Sequence, residues 1–376
     1  MHILIAPNAF KNSLSAADAA VAISKGFLQS NLQCTCDCFP VGDGGDGTAD
    51  LIIKHCKGVN ITAEVHDPMG RKIATSFGLI DDGKTAVIEM ANASGLRLLK
   101  PAEYDPLHAS SFGTGELIKL ALNKKVTKII LCIGGSATVD GATGIMQALR
   151  IRFVNKEGEE MNNLPERLTE LDSIDFSEMD KRIMHCKLVV LCDVENILLG
   201  KDGAANTFGH QKGATTTDII KLEAALTKLR DVVLTQTGKD MGQIKHGGAA
   251  GGTAAGLFGL LSAELVNGIE HFLLLTNFNE ALKKAGIVIT GEGSIDIQTL
   301  HGKGPFGVAK MAKEKGIPVI GLAGKVPVEI PFSLQSYFDV LLSINHEPVE
   351  IAEALATTYQ NLERTATIIG NLLAVS

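Results

Sequence analysis

A surplus of positive charge is the first thing this chain lacks. Its 376 residues carry 35 Lys and Arg against 42 Asp and Glu, a formal net charge of −7. Nucleic acid is therefore not an expected partner, because binding it needs a basic face that displaces counterions from phosphates. Small anions stay open, since main-chain dipoles can hold phosphate without a basic surface. Long apolar runs are scarce as well. The opening Met1–Pro7 has no basic n-region and its apolar run is too short for a signal peptide. The uncharged segment Gly247–Ala263 is packed with Gly and Ala and is interrupted by Glu264, so it reads as a loop leading into a buried helix and not as a membrane span. The seven cysteines make no C-x-x-C pair, which leaves neither a zinc ribbon nor a disulfide framework. Cys34, Cys36 and Cys38 alternate along one strand face, where buried free thiols are preferred to a soft-metal site. The expected compartment is the reducing cytoplasm.

Several catalytic signatures are missing too. No G-x-G-x-x-G follows the first apolar run, the ten histidines show no H-E-x-x-H spacing, and there is no G-x-S-x-G elbow. These absences disfavour a dinucleotide-dependent dehydrogenase, a zinc peptidase and a serine hydrolase.

What is abundant is glycine, with 40 residues clustered beside hydrophobic runs. Residues 2–6 read as a buried parallel strand, and Ser15-Ala-Ala-Asp18 fits a capping box before a helix. Cys34–Phe39 reads as the next strand, leading through a glycine-rich loop to a helix around Thr48–His55. Val59–His66, Arg71–Ile80 and Lys84–Met90 are joined by turn residues too few for a crossover, which predicts an antiparallel meander. Further buried-strand candidates are Lys128–Ile133, Leu188–Cys192, Ile287–Thr290, Pro318–Leu322 and Val340–Ile344. The expected fold class is α/β: a Rossmann-like parallel-sheet domain plus a second α/β domain with an antiparallel or mixed sheet. The expected division is 1–60 with 285–376, and 61–284 inserted, with the strands near 130 and 190 open to either sheet.

Four glycine-rich segments carry the chemistry. In Val41-Gly-Asp-Gly-Gly-Asp-Gly-Thr48, the backbone at Gly44 and Gly45 is free to face an anion, and Asp43 and Asp46 offer carboxylates suited to Mg²⁺. The plain alternative is a tight strand-to-helix turn capped by Asp46 or Thr48. Ile133-Gly-Gly-Ser-Ala-Thr-Val-Asp-Gly141 brings Gly134, Gly135, Ser136 and Thr138 to a strand tip, with a helix expected near Asp140 whose N-terminus is a natural phosphate seat. There the alternative is a close crossing that needs glycine. The run His246–Gly256 is a weaker signal of the same kind. Thr290-Gly-Glu-Gly-Ser-Ile-Asp-Ile-Gln-Thr-Leu-His-Gly-Lys303 gathers Gly291, Glu292, Gly293, Asp296, Gln298, Thr299 and Lys303 beyond a buried strand, where open α/β sheets place ligands. Lys11 and Asp193 also follow strands; one suits bridging phosphates, the other ligating metal or taking a hydroxyl proton. Amides, acids at strand ends and lysines are together the parts phosphoryl transfer requires.

These segments also resemble one family, the type-1 glycerate kinases. The likeness covers nearly the whole chain: Pro7–Ala16, Val41–Thr48, Glu89–Leu96, Phe112–Ile118, Gly134–Thr138, Cys192-Asp-Val194, Gly248–Gly252 and Thr290–Lys303. It implies ATP-dependent phosphorylation of D-glycerate to 2-phosphoglycerate with Mg²⁺, in glyoxylate, glucarate or galactarate breakdown. It also implies an active-site cleft between the two expected domains. Catalytic roles fall on Lys11, Asp193, Asp296 and Lys303, with the choice between Asp193 and Asp296 as base left open. Gly44, Gly45, Gly134, Gly135, Ser136, Thr138, Gly291 and Gly293 are expected at the nucleotide. Ser94, Gln298 and Thr299 are expected at the substrate, and Asp43, Asp46 and Glu292 at the metal. The chain departs from the family pattern at Asn8-Ala9, where Asp-Ser is usual, so no carboxylate role is carried to position 8. It also has Asp46 in place of glutamate, Val139 in place of asparagine, Tyr104-Asp105 before Pro106 and Ile197 in place of proline.

Overall fold

Short runs of Ile, Leu and Val dominate the strands of this chain, as expected where both faces of a sheet are covered. The computed structural model describes residues 1–375, except the side chains of Gln298 and His301. The strands in chain order are β1 (His2–Ile5), β2 (Thr35–Cys38), β3 (Val59–His66), β4 (Lys72–Ile80), β5 (Thr85–Glu89), β6 (Lys128–Cys132) and β7 (Arg152–Asn155). They continue as β8 (Leu171–Asp175), β9 (Lys187–Cys192), β10 (Glu264–Asn267), β11 (Ile287–Ser294), β12 (Val319–Lys325) and β13 (Val340–Ser343). The chain divides into two compact units, Met1–Asp43 with Gly268–Ser376, and Gly44–Asn267.

The first unit holds a five-stranded sheet in the order β13-β12-β11-β1-β2. Every pairing in it is parallel, and Ile3, Leu4 and Ile5 face Ile287, Val288 and Ile289 in the central pair. Ile3, Leu4, Ile5, Val288 and Ile289 are all 0% exposed. Each such side chain contributes about 1.5–3 kcal/mol on burial, and the parallel register is what brings these residues together. The helix Ala16–Gln29 starts at Ser15, whose hydroxyl accepts the Asp18 N–H, as the capping pattern predicted.

The second unit holds a six-stranded sheet in the order β10-β9-β6-β5-β4-β3. The β3–β4 and β4–β5 pairs are antiparallel, and the β5–β6, β6–β9 and β9–β10 pairs are parallel. The meander is as predicted, and the strands near 130 and 190 both join this mixed sheet. β7 and β8 form a separate antiparallel pair. The unit boundaries differ from the expected 60/61 and 284/285. The helix Thr48–His55 buries Ile52 and Ile53, and Ile53 packs against Gly58 and Gly78 beside β4, which ties it to the second unit. At the other end Ile269 packs on Gly307 of the helix Gly304–Lys313, which ties residues 268 onward to the first unit.

The segment Gly247–Ala263 is the loop and buried helix expected, the helix running Thr253–Leu261. Among the described residues no helix is long and apolar enough to cross a membrane. All seven cysteines are free. Cys34 and Cys36 are half-buried and Cys38 is exposed, because β2 is a sheet edge; buried thiols were expected at all three. Burial, followed by the neighbouring Cys34, pushes the Cys36 thiol up to about 12.

Candidate active site

In the first unit, β11 runs past its predicted end, through Gly291, Glu292 and Gly293 to Ser294. The chain after β1 follows it, with Asn8 N–H donating to the Gly291 carbonyl at 2.8 Å. This brings one set of polar groups together. Asp43 Oδ2 accepts from Asn8 Nδ2 at 2.8 Å and from the Gly304 N–H at 3.3 Å. Glu292 is 7% exposed, and its Oε1 accepts from the Thr299 hydroxyl at 3.0 Å. Burial raises the Glu292 carboxyl to about 7; nearby Lys303 opposes this, while Asp43 and Asp296 push the same way as burial. Lys303 is the N-cap of the helix Gly304–Lys313. Lys11 is exposed, and its backbone runs beside Gly293, whose α-carbon faces the Lys11 N.

In the second unit, two predicted phosphate seats are already filled by the protein's own carboxylates. Glu89, 2% exposed at the end of β5, accepts from the Gly47 N–H at 3.0 Å and the Ala49 N–H at 3.2 Å, at the start of the helix Thr48–His55. Burial raises its pKa, against the pull of those amides and Arg97. The helix expected near Asp140 begins at Thr143 and ends at Ala148. Asp140, 0% exposed, accepts from the Ser111 N–H and hydroxyl and from the N–H groups of Ala142 and Gly144. A helix end whose amides already meet a buried carboxylate has no donors left for a ligand.

The loop after β6 is different. Gly134 N–H donates to the Gly44 carbonyl at 2.9 Å, and a β-carbon on Gly134 would stand 2.5 Å from the Gly45 α-carbon. Glycine here answers a close approach of two backbones. Gly134→Ala should therefore cost about 1–3 kcal/mol, read as a lower midpoint in urea unfolding; an unchanged midpoint would contradict the contact. Gly135, at φ +72° and exposed, carries the Asp46 carboxylate against its α-carbon. The N–H groups of Gly135 and Ser136 meet no acceptor among the described residues. They are the open donors at this strand tip.

Lys212, which the sequence did not single out, is 3% exposed. Its Nζ donates to Ser136 Oγ at 2.8 Å and to the Thr138 carbonyl at 2.7 Å. Burial lowers its pKa to about 7, and the charges of Asp140 and Asp193 act in the opposite direction.

The other predicted residues fall as follows. Gly44 N–H donates to Thr48 Oγ1, and the Gly45 carbonyl accepts the Thr48 N–H at 3.2 Å. Gly291 sits in the β11–β12 pairing, where a β-carbon would strike the Leu322 carbonyl at 2.2 Å. Glycine is required here by the close approach of β12. Ser94 is 0% exposed and bonds Thr114 Oγ1 at 2.8 Å; Thr299, also 0% exposed, serves Glu292 and accepts the Asp296 N–H. Both hydroxyls are bonded within the protein. The side chain of Gln298 lies outside the described residues. Asp43 and Glu292 belong to the first unit and Asp46 to the second. Among the described residues no three Asp, Glu, His or Cys side chains converge as a ready metal-ligand set. Gly78-Leu-Ile-Asp-Asp-Gly-Lys-Thr85 spells a Walker A pattern, yet it is the β4–β5 hairpin connection with no helix after it, so the match carries no phosphate site.

Parallel and mixed sheets flanked by helices, with acids and open amides at strand tips, define an α/β protein. The chain belongs to the glycerate kinase family, which it matches over residues 3–374. It is 42% identical over 364 residues to a glycerate kinase of Halalkalibacterium halodurans, covering 97% of this chain and 96% of that one. It is 41% identical over 375 residues to a glycerate 2-kinase of Escherichia coli K12, covering 100% and 98%. A crystal structure assigned to glycerate kinase 2 of Salmonella typhimurium LT2 superposes with a TM-score of 0.83 at 40% identity, covering 100% of this chain and 98% of that one.

Proposed function

We propose that the chain transfers the γ-phosphoryl group of ATP to the 2-hydroxyl of D-glycerate, releasing ADP and 2-phosphoglycerate, in cytoplasmic sugar-acid breakdown. The observation that carries phosphate chemistry is the pair of open N–H groups at Gly135 and Ser136, beside Asp46. The acceptor is taken from the activities named for the relatives.

Amides aimed at a phosphate hold it without reorganising, which is the main requirement of this reaction. The residues present suit Mg²⁺: all candidate ligands are oxygens, and Glu292 is a buried carboxylate crowded by Asp43 and Asp296, a strain that a divalent cation relieves. Of the carboxylates expected at the metal, Asp43 and Glu292 of the first unit would hold it, and when bound it neutralises charge on the phosphate oxygens. Lys11 and Lys303 draw off charge developing on the transferred group. Asp193 or Asp296 accepts the proton as the glycerate oxygen bonds to γ-phosphorus and the bond from γ-phosphorus to the bridging oxygen of ADP breaks.

The test is direct. Purified protein with ATP, MgCl₂ and D-glycerate should release ADP only when all three are present, and phosphorus NMR should show the 2-phosphate. A 3-phosphate product would overturn the regiochemistry, and ADP release independent of glycerate would overturn the acceptor.

A further inference from the structure

We propose that Lys212 is a positioning residue of the nucleotide site: buried against the loop Ile133–Asp140, its ammonium fixes Ser136 and Thr138 and stands as the positive charge behind the open N–H groups. This rests on the reading that the loop holds nucleotide phosphates.

The geometry is unusual for a lysine. Lys212 closes the short 3-10 turn His210–Lys212 and is 3% exposed, with Nζ bonded to one hydroxyl and one carbonyl and, among the described residues, no carboxylate in direct contact. Burying an ammonium without a paired carboxylate is costly, by several kcal/mol even after relaxation. The charged groups that act on it are Asp140, before the helix Thr143–Ala148, and Asp193, after β9. His210 on its own turn faces away to the Ala214 carbonyl at 3.0 Å. Asp140 is saturated by four donors from Ser111, Ala142 and Gly144 and cannot move to meet the lysine. The Thr138 hydroxyl is also buried without a partner among the described residues. A cation kept short of its counter-charge, next to two open amides, is completed by an anion arriving at Gly135 and Ser136.

A mere strut and a charged support predict different behaviour. An amine donates the two hydrogen bonds whether or not it carries the third proton, so a strut is indifferent to charge. With burial holding the lysine near 7, a charged support loses strength as pH rises through neutrality. Lys212→Arg stays charged throughout and is the reference, since the nucleotide's own titration is common to both proteins.

The experiment measures ADP binding to the full chain by calorimetry from pH 6.5 to 8.5, for wild type, Lys212→Arg and Lys212→Met, together with KM for ATP and kcat. Wild-type affinity should fall about tenfold more than that of Lys212→Arg across this range, the change expected when a buried charge-assisted contact is lost. Lys212→Met should raise KM for ATP about 10- to 100-fold, with a smaller effect on kcat. Parallel pH profiles for wild type and Lys212→Arg, or a wild-type KM in folded Lys212→Met, would overturn the proposal. Should neither variant fold, wild type alone decides: proton uptake on ADP binding at pH 8, counted in buffers of different ionisation enthalpy, supports it, and zero uptake sinks it. No binding of ADP to wild type at any pH would instead overturn the nucleotide reading on which this rests.

Discussion

Glu292→Gln should raise the stability of the metal-free protein at pH 8 while removing activity. The sign follows from the raised carboxyl, which sits at about 7 in the folded chain against an ordinary value of 4.5. Below 4.5 both folded and unfolded chains hold the proton. Between these values only the folded chain does, so wild type loses stability as pH rises through that window, and at pH 8 the loss is complete. Its size is on the order of 3 kcal/mol. Glutamine is neutral throughout and its Oε1 can still accept from Thr299, so the variant should escape the loss. Chemical unfolding of both proteins in EDTA from pH 4.5 to 8.5 measures it: the stability difference should open with rising pH. A difference that stays flat would show that burial does not govern this carboxyl. In the presence of Mg²⁺ the same variant should lose about a hundred- to a thousand-fold in kcat, the usual cost of one charge-stabilising group.

Lys303→Met should reduce kcat by about the same factor, a hundred- to a thousand-fold, with the fold intact. The side chain is partly exposed at a helix start, so its removal leaves no buried cavity. Lys303 also holds the Glu292 carboxyl down. Without it, the pH at which that carboxyl loses its proton should move up, and Lys303→Arg, which keeps the charge, should restore the wild-type position. Steady-state kinetics from pH 6 to 9 reads both effects. Wild-type turnover in Lys303→Met would remove the lysine from the reaction.

The meander was legible because its instructions are local. Asp67 takes the Met69 and Arg71 N–H groups on one oxygen, and Gly70 supplies φ +81°, so the turn is written in five consecutive residues, Asp67–Arg71. The Ser15 cap is equally local. The site was legible only in part, because what fills a helix end is decided far along the chain. Glu89 reaches the Gly47 amide from 42 residues away, and Lys212 reaches Ser136 from 76. Glycine-rich spacing announced amides able to face an anion; it could not say that Glu89 and Asp140 would meet most of them first. Lys212 lies between Gln211 and Gly213, immediate neighbours that do not mark it as interior. The burial of Thr299 and Ser94 was illegible for the same reason: a hydroxyl among polar neighbours reads as exposed until the fold shows it buried.

The pairing of Ile3 with Ile287 has a consequence for the order of assembly. A ribosome releases β1 long before its neighbour β11 exists, and parallel partners so distant in sequence form late. The segment Gly44–Asn267 has its own sheet and core and can settle during that wait. The nascent N-terminal strand, with its run of Ile, Leu and Ile, meanwhile stays unpaired along that edge and is the stretch most in need of chaperone cover.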